Sequence, residues 1–282
     1  MTNWAREAIR LHRSVLALIL AAVAPDFCPC WPPCGNTDEF DGAHDETNDM
    51  DFPALTRGSL VRRYKRFLAD VILPPDDTPI CVHCPNTGAM SGCQTAESGV
   101  WLSYHDNPKR KLSWTWELVE TETGLACIHS ARANDVVEEA LRLDYFPSLF
   151  PAGAELRREV KIAEGSRADF LIPADVGLYM EVKSVTLHCG DGLGAFPDAV
   201  SARATKHLVE LQAAIERGHR AALVFAVLHA GITRVAPAED IDPTYASALR
   251  QAMASGVEVY TLLNDITVGG IYPVSAHRWD MR

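Results

Sequence analysis

The stretch from Ser166 to Lys183 constrains this chain most. Two apolar, β-prone segments, Phe170-Leu171-Ile172 and Leu178-Tyr179-Met180, flank Pro173-Ala174-Asp175-Val176-Gly177, a turn cluster with Pro and Gly at its ends. The pattern predicts a hairpin. If Ile172 pairs with Leu178, then Leu171 meets Tyr179 and Asp169 lies across from Glu181. Side chains alternate along a strand, so Lys183 shares the face of Glu181. Two opposed carboxylates with Cβ atoms about 5 Å apart repel each other. A sheet tolerates them if one is protonated or if a cation sits between them. Acidic oxygen ligands suit Mg²⁺ or Mn²⁺, and Mg²⁺ is typically held by one or two carboxylates plus waters and substrate phosphate. A lysine two residues on can orient an attacking water and neutralise charge developing on a phosphate.

This Asp, spacer, Glu-x-Lys arrangement resembles the signature of the PD-(D/E)xK nuclease superfamily. The spacing alone is weakly specific, because Glu-x-Lys is common and an exposed hairpin with a Glu/Lys pair looks the same.

Charge distribution bears on the partner. The chain has 282 residues and a net charge of −11. Residues 1–56 carry three basic and nine acidic residues, residues 57–125 eight of each, and residues 126–282 fifteen and twenty. The neutral middle holds its basic residues in two clusters, which matters more for binding than the total. Eight cysteines without regular spacing make no disulfide framework in a chain this long, and point to reduced thiols in a reducing compartment. The longest apolar run, Val15 to Ala24, is too short to span a bilayer.

Residues 1–56 differ from the rest. Arg6, Arg10 and Arg13 precede the apolar run and Ala22-Val23-Ala24 follows it, a signal-peptide layout; a transit peptide and an amphipathic extension are the other readings. The expected location is cytoplasmic, or organellar if residues 1–25 act as a transit peptide. Cys28, Cys30 and Cys34 are too few and too irregular for a zinc site. Asn36 to Pro53 is acidic and polar and reads as a disordered linker, with order beginning near Gly58.

From there, short strands follow in quick succession: Leu60-Val61, Phe67 to Leu73, Ile80 to Cys84, Gly99 to Tyr104, Ser113 to Glu122 and Leu125 to Ile128. Such strands with Gly/Pro turns predict a small barrel over residues 57–128. Its basic clusters are Arg62, Arg63, Lys65 and Arg66, and Lys109, Arg110 and Lys111, with Trp114 and Trp116 just beyond. Basic side chains beside aromatics are what a groove needs to hold a phosphate backbone and stack bases. The alternative is a solvated basic edge that protects the sheet.

Longer motifs then become specific. Arg62 to Asp70 (RRYKRFLAD), His83 to Met90 (HCPNTGAM), Asp106 to Leu112 (DNPKRKL), Thr115 to Val119 (TWELV), Glu181 to Thr186 (EVKSVT), Phe196 to Ala199 (FPDA) and Lys206-His207-Leu208 resemble, in order, the sugar fermentation stimulation protein (SfsA) family. The match spans about residues 57–275. The resemblance implies an OB-like N-terminal domain joined to a PD-(D/E)xK-like nuclease domain, DNA binding, and a link to sugar-metabolism genes.

The second region, residues 129–282, fits on its own terms. A helix is expected over Asn134 to Leu143, a strand at Arg158 to Lys161, and then the hairpin. A helix over Ala199 to Arg217, an apolar strand over Ala221 to His229, a helix over Pro243 to Ser255 and a last strand over Val257 to Leu263 complete an αβββαβαβ order. Glu138 or Glu139 on the first helix is a candidate further acid. Arg203, Lys206 and His207 lie on one side of the second helix and are candidates for phosphate contact.

The expected architecture is therefore α/β with a small β-barrel: an OB-like barrel followed by a nuclease-like domain. The expected activity is metal-dependent cleavage of DNA. Asp169 and Glu181 would hold Mg²⁺ or Mn²⁺ with the Val182 carbonyl, and Lys183 would act on the water. A non-catalytic DNA-binding regulator and an RNA-directed enzyme are the competing readings.

Overall fold

The computed structural model describes residues 50–279. The N-terminal segment read as a signal peptide, transit peptide or extension, and the Cys28, Cys30 and Cys34 group, lie outside the described residues.

Six strands build the first region: β1 (Leu55–Tyr64), β2 (Leu68–Ile72), β3 (Ile80–His83), β4 (Gly99–Tyr104), β5 (Trp114–Thr121) and β6 (Gly124–Cys127). They run in the order β3-β2-β1-β4-β5-β6, and a parallel contact between β3 and β5 at His83 and Thr115 closes them into a barrel. Leu60, Val71, Val82, Val100, Leu102 and Trp116 fill its interior. A row of paired residues runs from the last residue of β1 around the barrel to its first: Tyr64 with Leu68, Leu68 with His83, His83 with Thr115, Thr115 with Ser103, and Ser103 with Leu55. The β1–β2 turn and the β4–β5 loop, which hold the two basic clusters, lead into Leu68 and Thr115, which flank His83 at the end of β3.

The second region follows as α1 (Arg132–Arg142), β7 (Arg157–Ala163), β8 (Ser166–Ile172), β9 (Leu178–Val185), β10 (Leu187–His188), β11 (Leu193–Phe196), α2 (Ala202–Glu216), β12 (Arg220–Val227), β13 (Arg234–Pro237), α3 (Pro243–Ala254), β14 (Glu258–Ile266) and β15 (Ile271–Arg278). Its main sheet has the order β15-β14-β12-β9-β8-β7. Strands β9, β12 and β14 are parallel and central, and β12 reads as an unbroken apolar run because both of its faces are covered. One core, with Val136, Val137, Phe170, Met180 and Val224, lies under α1. Another, with Leu208, Leu211, Leu223, Phe225 and Leu249, lies under α2 and α3. Local chemistry sets the helix starts. The Ser201 side chain accepts from the Ala204 N–H, so α2 begins at Ala202 rather than at Ala199. Asp242 caps α3 ahead of Pro243 and also accepts from the Ser201 N–H at 2.9 Å.

Three features depart from expectation. β15 carries Pro273, which weakens its strand signal; it is an edge strand, where Pro is tolerated, and the β14–β15 register shifts beside it. Strands β10, β11 and β13 form a separate small sheet from pieces of two to four residues, too short to carry a period. Order also begins before Gly58. Met50 is buried at 1% exposure in the core under α1, Phe52 N–H donates to Gly269 O at 2.8 Å, and Arg132 stacks over the Phe52 ring. Residues 50–54 thus bind the chain's far end, and an apolar Met and Phe inside an acidic run outweigh its composition.

The two regions pack together. Ala126 bridges His229, Cys127 N–H donates to Leu228 O at 2.9 Å, and Met90 N–H donates to Asp198 at 2.8 Å. At the junction, Glu117 sits in β5 at 1% exposure and accepts from Ser103 Oγ at 2.8 Å and from His129 Nδ1 at 2.7 Å. Burial opposes its charge, but the His129 and Ser103 hydrogen bonds and the nearby Arg132 outweigh that and hold its carboxyl below the usual range.

Candidate active site

The β8–β9 hairpin forms in the expected register, with Ile172 opposite Leu178, Leu171 opposite Tyr179 and Phe170 opposite Met180. Beyond Phe170 the ladder stops. The Asp169 carboxylate there accepts the Val182 N–H at 2.7 Å and the Asn134 side-chain amide, from α1, at 3.0 Å. Glu181 follows on β9 with its side chain 6% exposed. Its Oε1 accepts from Lys183 Nζ and from His207 Nδ1, leaving Oε2 without a hydrogen-bond partner among the described residues. Arg203 Nε donates to the other ring nitrogen of His207 at 3.4 Å. Lys183 Nζ also lies 3.3 Å from His207 Nδ1, so the ring sits between two cations and the Glu181 carboxylate.

These groups open into a cleft of about 940 Å³ lined by Asp169, Glu181, Val182, Lys183, Arg203 and Lys206, among others. The two carboxyls are displaced in opposite directions. Burial and then the Glu181 charge raise Asp169, against the Val182 and Asn134 hydrogen bonds. Burial also opposes the Glu181 charge, but His207 and Lys183 outweigh it and lower that carboxyl. A pair pushed apart in this way holds one firm anion and one strained one, which a divalent cation would relieve. The donor set is hard oxygen, the class that Mg²⁺, Mn²⁺ and Ca²⁺ accept. Among the described residues no group of three or more His, Cys, Asp or Glu side chains converges as a metal site, so water or phosphate oxygens would have to complete a shell built on two carboxylates.

Other expected site residues sort clearly. Glu138 does not enter the cleft, because Arg142 and Arg158 both bind its carboxylate. The helix supplies Asn134 instead, one turn earlier on the same face; a neutral amide gave no charge signal to find. Arg203 and Lys206 reach the cleft, Lys206 with Glu210 at 3.4 Å.

On the barrel, Lys65 and Arg66 form the exposed β1–β2 turn, both in left-handed conformation, and Lys109 and Lys111 are exposed in the β4–β5 loop. Arg62 is exposed but paired with Asp70 at 2.8 Å. Arg110 donates to Thr115 Oγ1 at 2.8 Å. Arg63 turns inward and donates to the carbonyls of Asn86, Gly88 and Arg66 at 2.8 to 3.1 Å, so its guanidinium holds the loop after β3 rather than facing solvent. Trp116 is wholly buried and donates to Leu118 O, which removes it as a stacking platform. Tyr104, 54% exposed, and Trp114 form an edge-on pair at 5.0 Å and leave an aromatic surface beside the basic loop.

The sequence model of the SfsA N-terminal OB domain matches residues 61–128, and that of the sugar fermentation stimulation protein RE domain matches residues 131–269. The chain belongs to the SfsA family. A solved structure, described as Pyrococcus furiosus SfsA in complex with Ca²⁺, superposes with a TM-score of 0.72 at 24% identity, over 82% of this chain and 97% of that one. At that identity the likeness shows the fold: an OB domain followed by an α/β domain. SfsA membership brings with it a nucleic-acid-binding barrel and a nuclease-like α/β fold.

Proposed function

We propose that the chain binds DNA along the basic turn and loop of its barrel and hydrolyses a phosphodiester bond in the cleft. The observation that carries this reading is the convergence of Asp169, Glu181 and Lys183 in one cleft, with Lys183 bound to Glu181. Position supports it. Ser130 follows the barrel directly and lines the cleft, and its hydroxyl donates to Pro85 O at 3.3 Å in the loop after β3. The basic turn and loop therefore adjoin the end of β3, whose following loop meets the wall of the cleft.

Asp169, Glu181 and the Val182 carbonyl would hold Mg²⁺ or Mn²⁺. When bound, such an ion acidifies water and polarises a phosphate oxygen. The chain's own groups do the rest. Asn134 and the Val182 N–H fix the Asp169 carboxylate. His207 fixes Glu181 with Oε2 outward. Lys183, which donates to Glu181 and lines the same cleft, would orient an incoming water and offset charge on the phosphate. The Ca²⁺ of the Pyrococcus furiosus SfsA complex is a cation of the same hard class.

A DNA-binding regulator without turnover is the second reading. It is favoured by the engagement of Lys183 with Glu181, which keeps the amine off substrate. Incubating the protein with labelled single- and double-stranded DNA and RNA, in Mg²⁺ or in EDTA, separates the two. Products in Mg²⁺ alone support hydrolysis, and intact substrate in every arm leaves only binding.

A further inference from the structure

The cleft face of β7 and β8 carries two cations, Lys161 and Arg167, that the hydrolysis itself does not use. Lys161 on β7 lies directly opposite Arg167 on β8 in the ladder, and both line the cleft. Like charges directly opposed on a sheet destabilise it. Neighbouring arginines are neutralised: Arg157 pairs with Glu155, and Arg158 with Asp135 and Glu138. Lys161 and Arg167 have no ion pair among the described residues. Each stands two residues from an acid that also lines the cleft, Lys161 from Glu159 and Arg167 from Asp169, as Lys183 does from Glu181. Two residues of strand span about 6.6 Å. The cleft thus carries acids Glu159, Asp169 and Glu181 beside cations Lys161, Arg167 and Lys183.

We propose that Lys161 and Arg167 together form a subsite for one backbone phosphate, the neighbour of the phosphate held at Asp169 and Glu181. This rests on the proposed hydrolysis for the naming of that second phosphate. An anion between the two cations removes their mutual repulsion, and a guanidinium fork beside an ammonium suits a phosphate's several oxygens. A nucleic-acid strand repeats its phosphate along the chain, so a strand lying across the acids also passes the cations. The substrate class implied is a strand that continues past the scissile bond. Edge protection is the competing explanation, since β7 closes the sheet and charged edge strands resist aggregation.

The test uses the full chain in EDTA, with Lys161→Gln, Arg167→Gln and the double variant, binding a labelled DNA oligonucleotide single-stranded and as a duplex. Salt is varied from about 50 to about 200 mM. One shared phosphate predicts that the double variant loses about 0.7 from the log–log salt slope on the single strand and about 0.9 on the duplex. Over that range the affinity loss shrinks about threefold. The thermal midpoint should stay level or rise, because a like-charge pair has been removed. An unchanged slope overturns the subsite, with or without a lowered midpoint. A slope loss twice as large also overturns it, because the two cations would then serve separate phosphates. Failure of the wild type to cleave leaves this slope result intact and sinks only the hydrolysis, whereas cleavage with an unchanged slope sinks only the subsite.

Discussion

Replacing Asp169 by Asn separates a metal-holding carboxylate from a structural one. The substitution keeps size and can keep both hydrogen bonds: the new amide oxygen accepts the Val182 N–H, and Asn134 can turn its own oxygen toward the new NH₂ group. Only the charge goes. Because burial and Glu181 raise the folded Asp169 above its ordinary value of 3.8, the folded state binds more protons than the unfolded state between the two values. Its contribution to stability is therefore full below 3.8 and lost as pH rises through the folded value. At neutral pH without metal, D169N should melt at or above the wild type, and the difference should close in acid. Mg²⁺ should reverse the order. A ligand at about 100 times its Kd adds about 2.7 kcal/mol, which for a chain of this size is roughly 5–11 °C in midpoint, and D169N should forgo it. Metal-free DNA affinity should rise. A phosphate charge about 4 Å from the carboxylate meets about 1 kcal/mol of repulsion in water-like surroundings, and more in a cleft. That is a gain of about fivefold or greater. Lys183→Ala should move metal-free affinity the other way. Differential scanning fluorimetry with and without Mg²⁺, and anisotropy in EDTA, read all of this. A D169N that melts well below the wild type in EDTA, with neither protein responding to Mg²⁺, would show that the carboxylate only braces the hairpin.

Other variants test the rest. Arg63→Ala should lower stability by about 2–4 kcal/mol through lost charged hydrogen bonds to the loop after β3 while leaving the salt slope of DNA binding unchanged, whereas Lys65→Ala and Lys109→Ala should each reduce that slope by about 0.9 on duplex DNA. Met50→Ala should cost about 2–5 kcal/mol, visible in a denaturant titration, since the side chain is buried under α1. Glu117 is held low, so its stabilisation is present above the ordinary value of 4.5 and lost as pH falls through the folded value. Glu117→Gln should lower the midpoint at neutral pH and make the acid limb of the stability curve shallower, and an unaltered acid limb would contradict the assignment.

Much of this structure is legible in the sequence, for reasons that can be named. The hairpin register follows from a Pro–Gly turn between two apolar runs, and β12 from a run that only a doubly covered strand tolerates. What escapes sequence reasoning depends on tertiary context. Nothing local distinguishes Arg63 from Arg62, yet one points into a loop and the other into solvent. Trp114 and Trp116 share a strand parity but not a surroundings: barrel closure at Thr115 leaves the first half-buried and the second sealed. Glu138 looks like a better site residue than Asn134 until Arg158, twenty residues away, takes it. Lys161 and Arg167 meet only because the β7–β8 ladder opposes them.

The measurement that bears most directly on the central claim is product formation from labelled DNA, single- and double-stranded, by the wild type, D169N and K183A in Mg²⁺, Mn²⁺ and EDTA. Shortened products from the wild type with either metal, none in EDTA and none from either variant, while both variants still bind DNA, is the predicted result. Uncut DNA from the wild type with both metals, or equal cleavage by D169N, would contradict it.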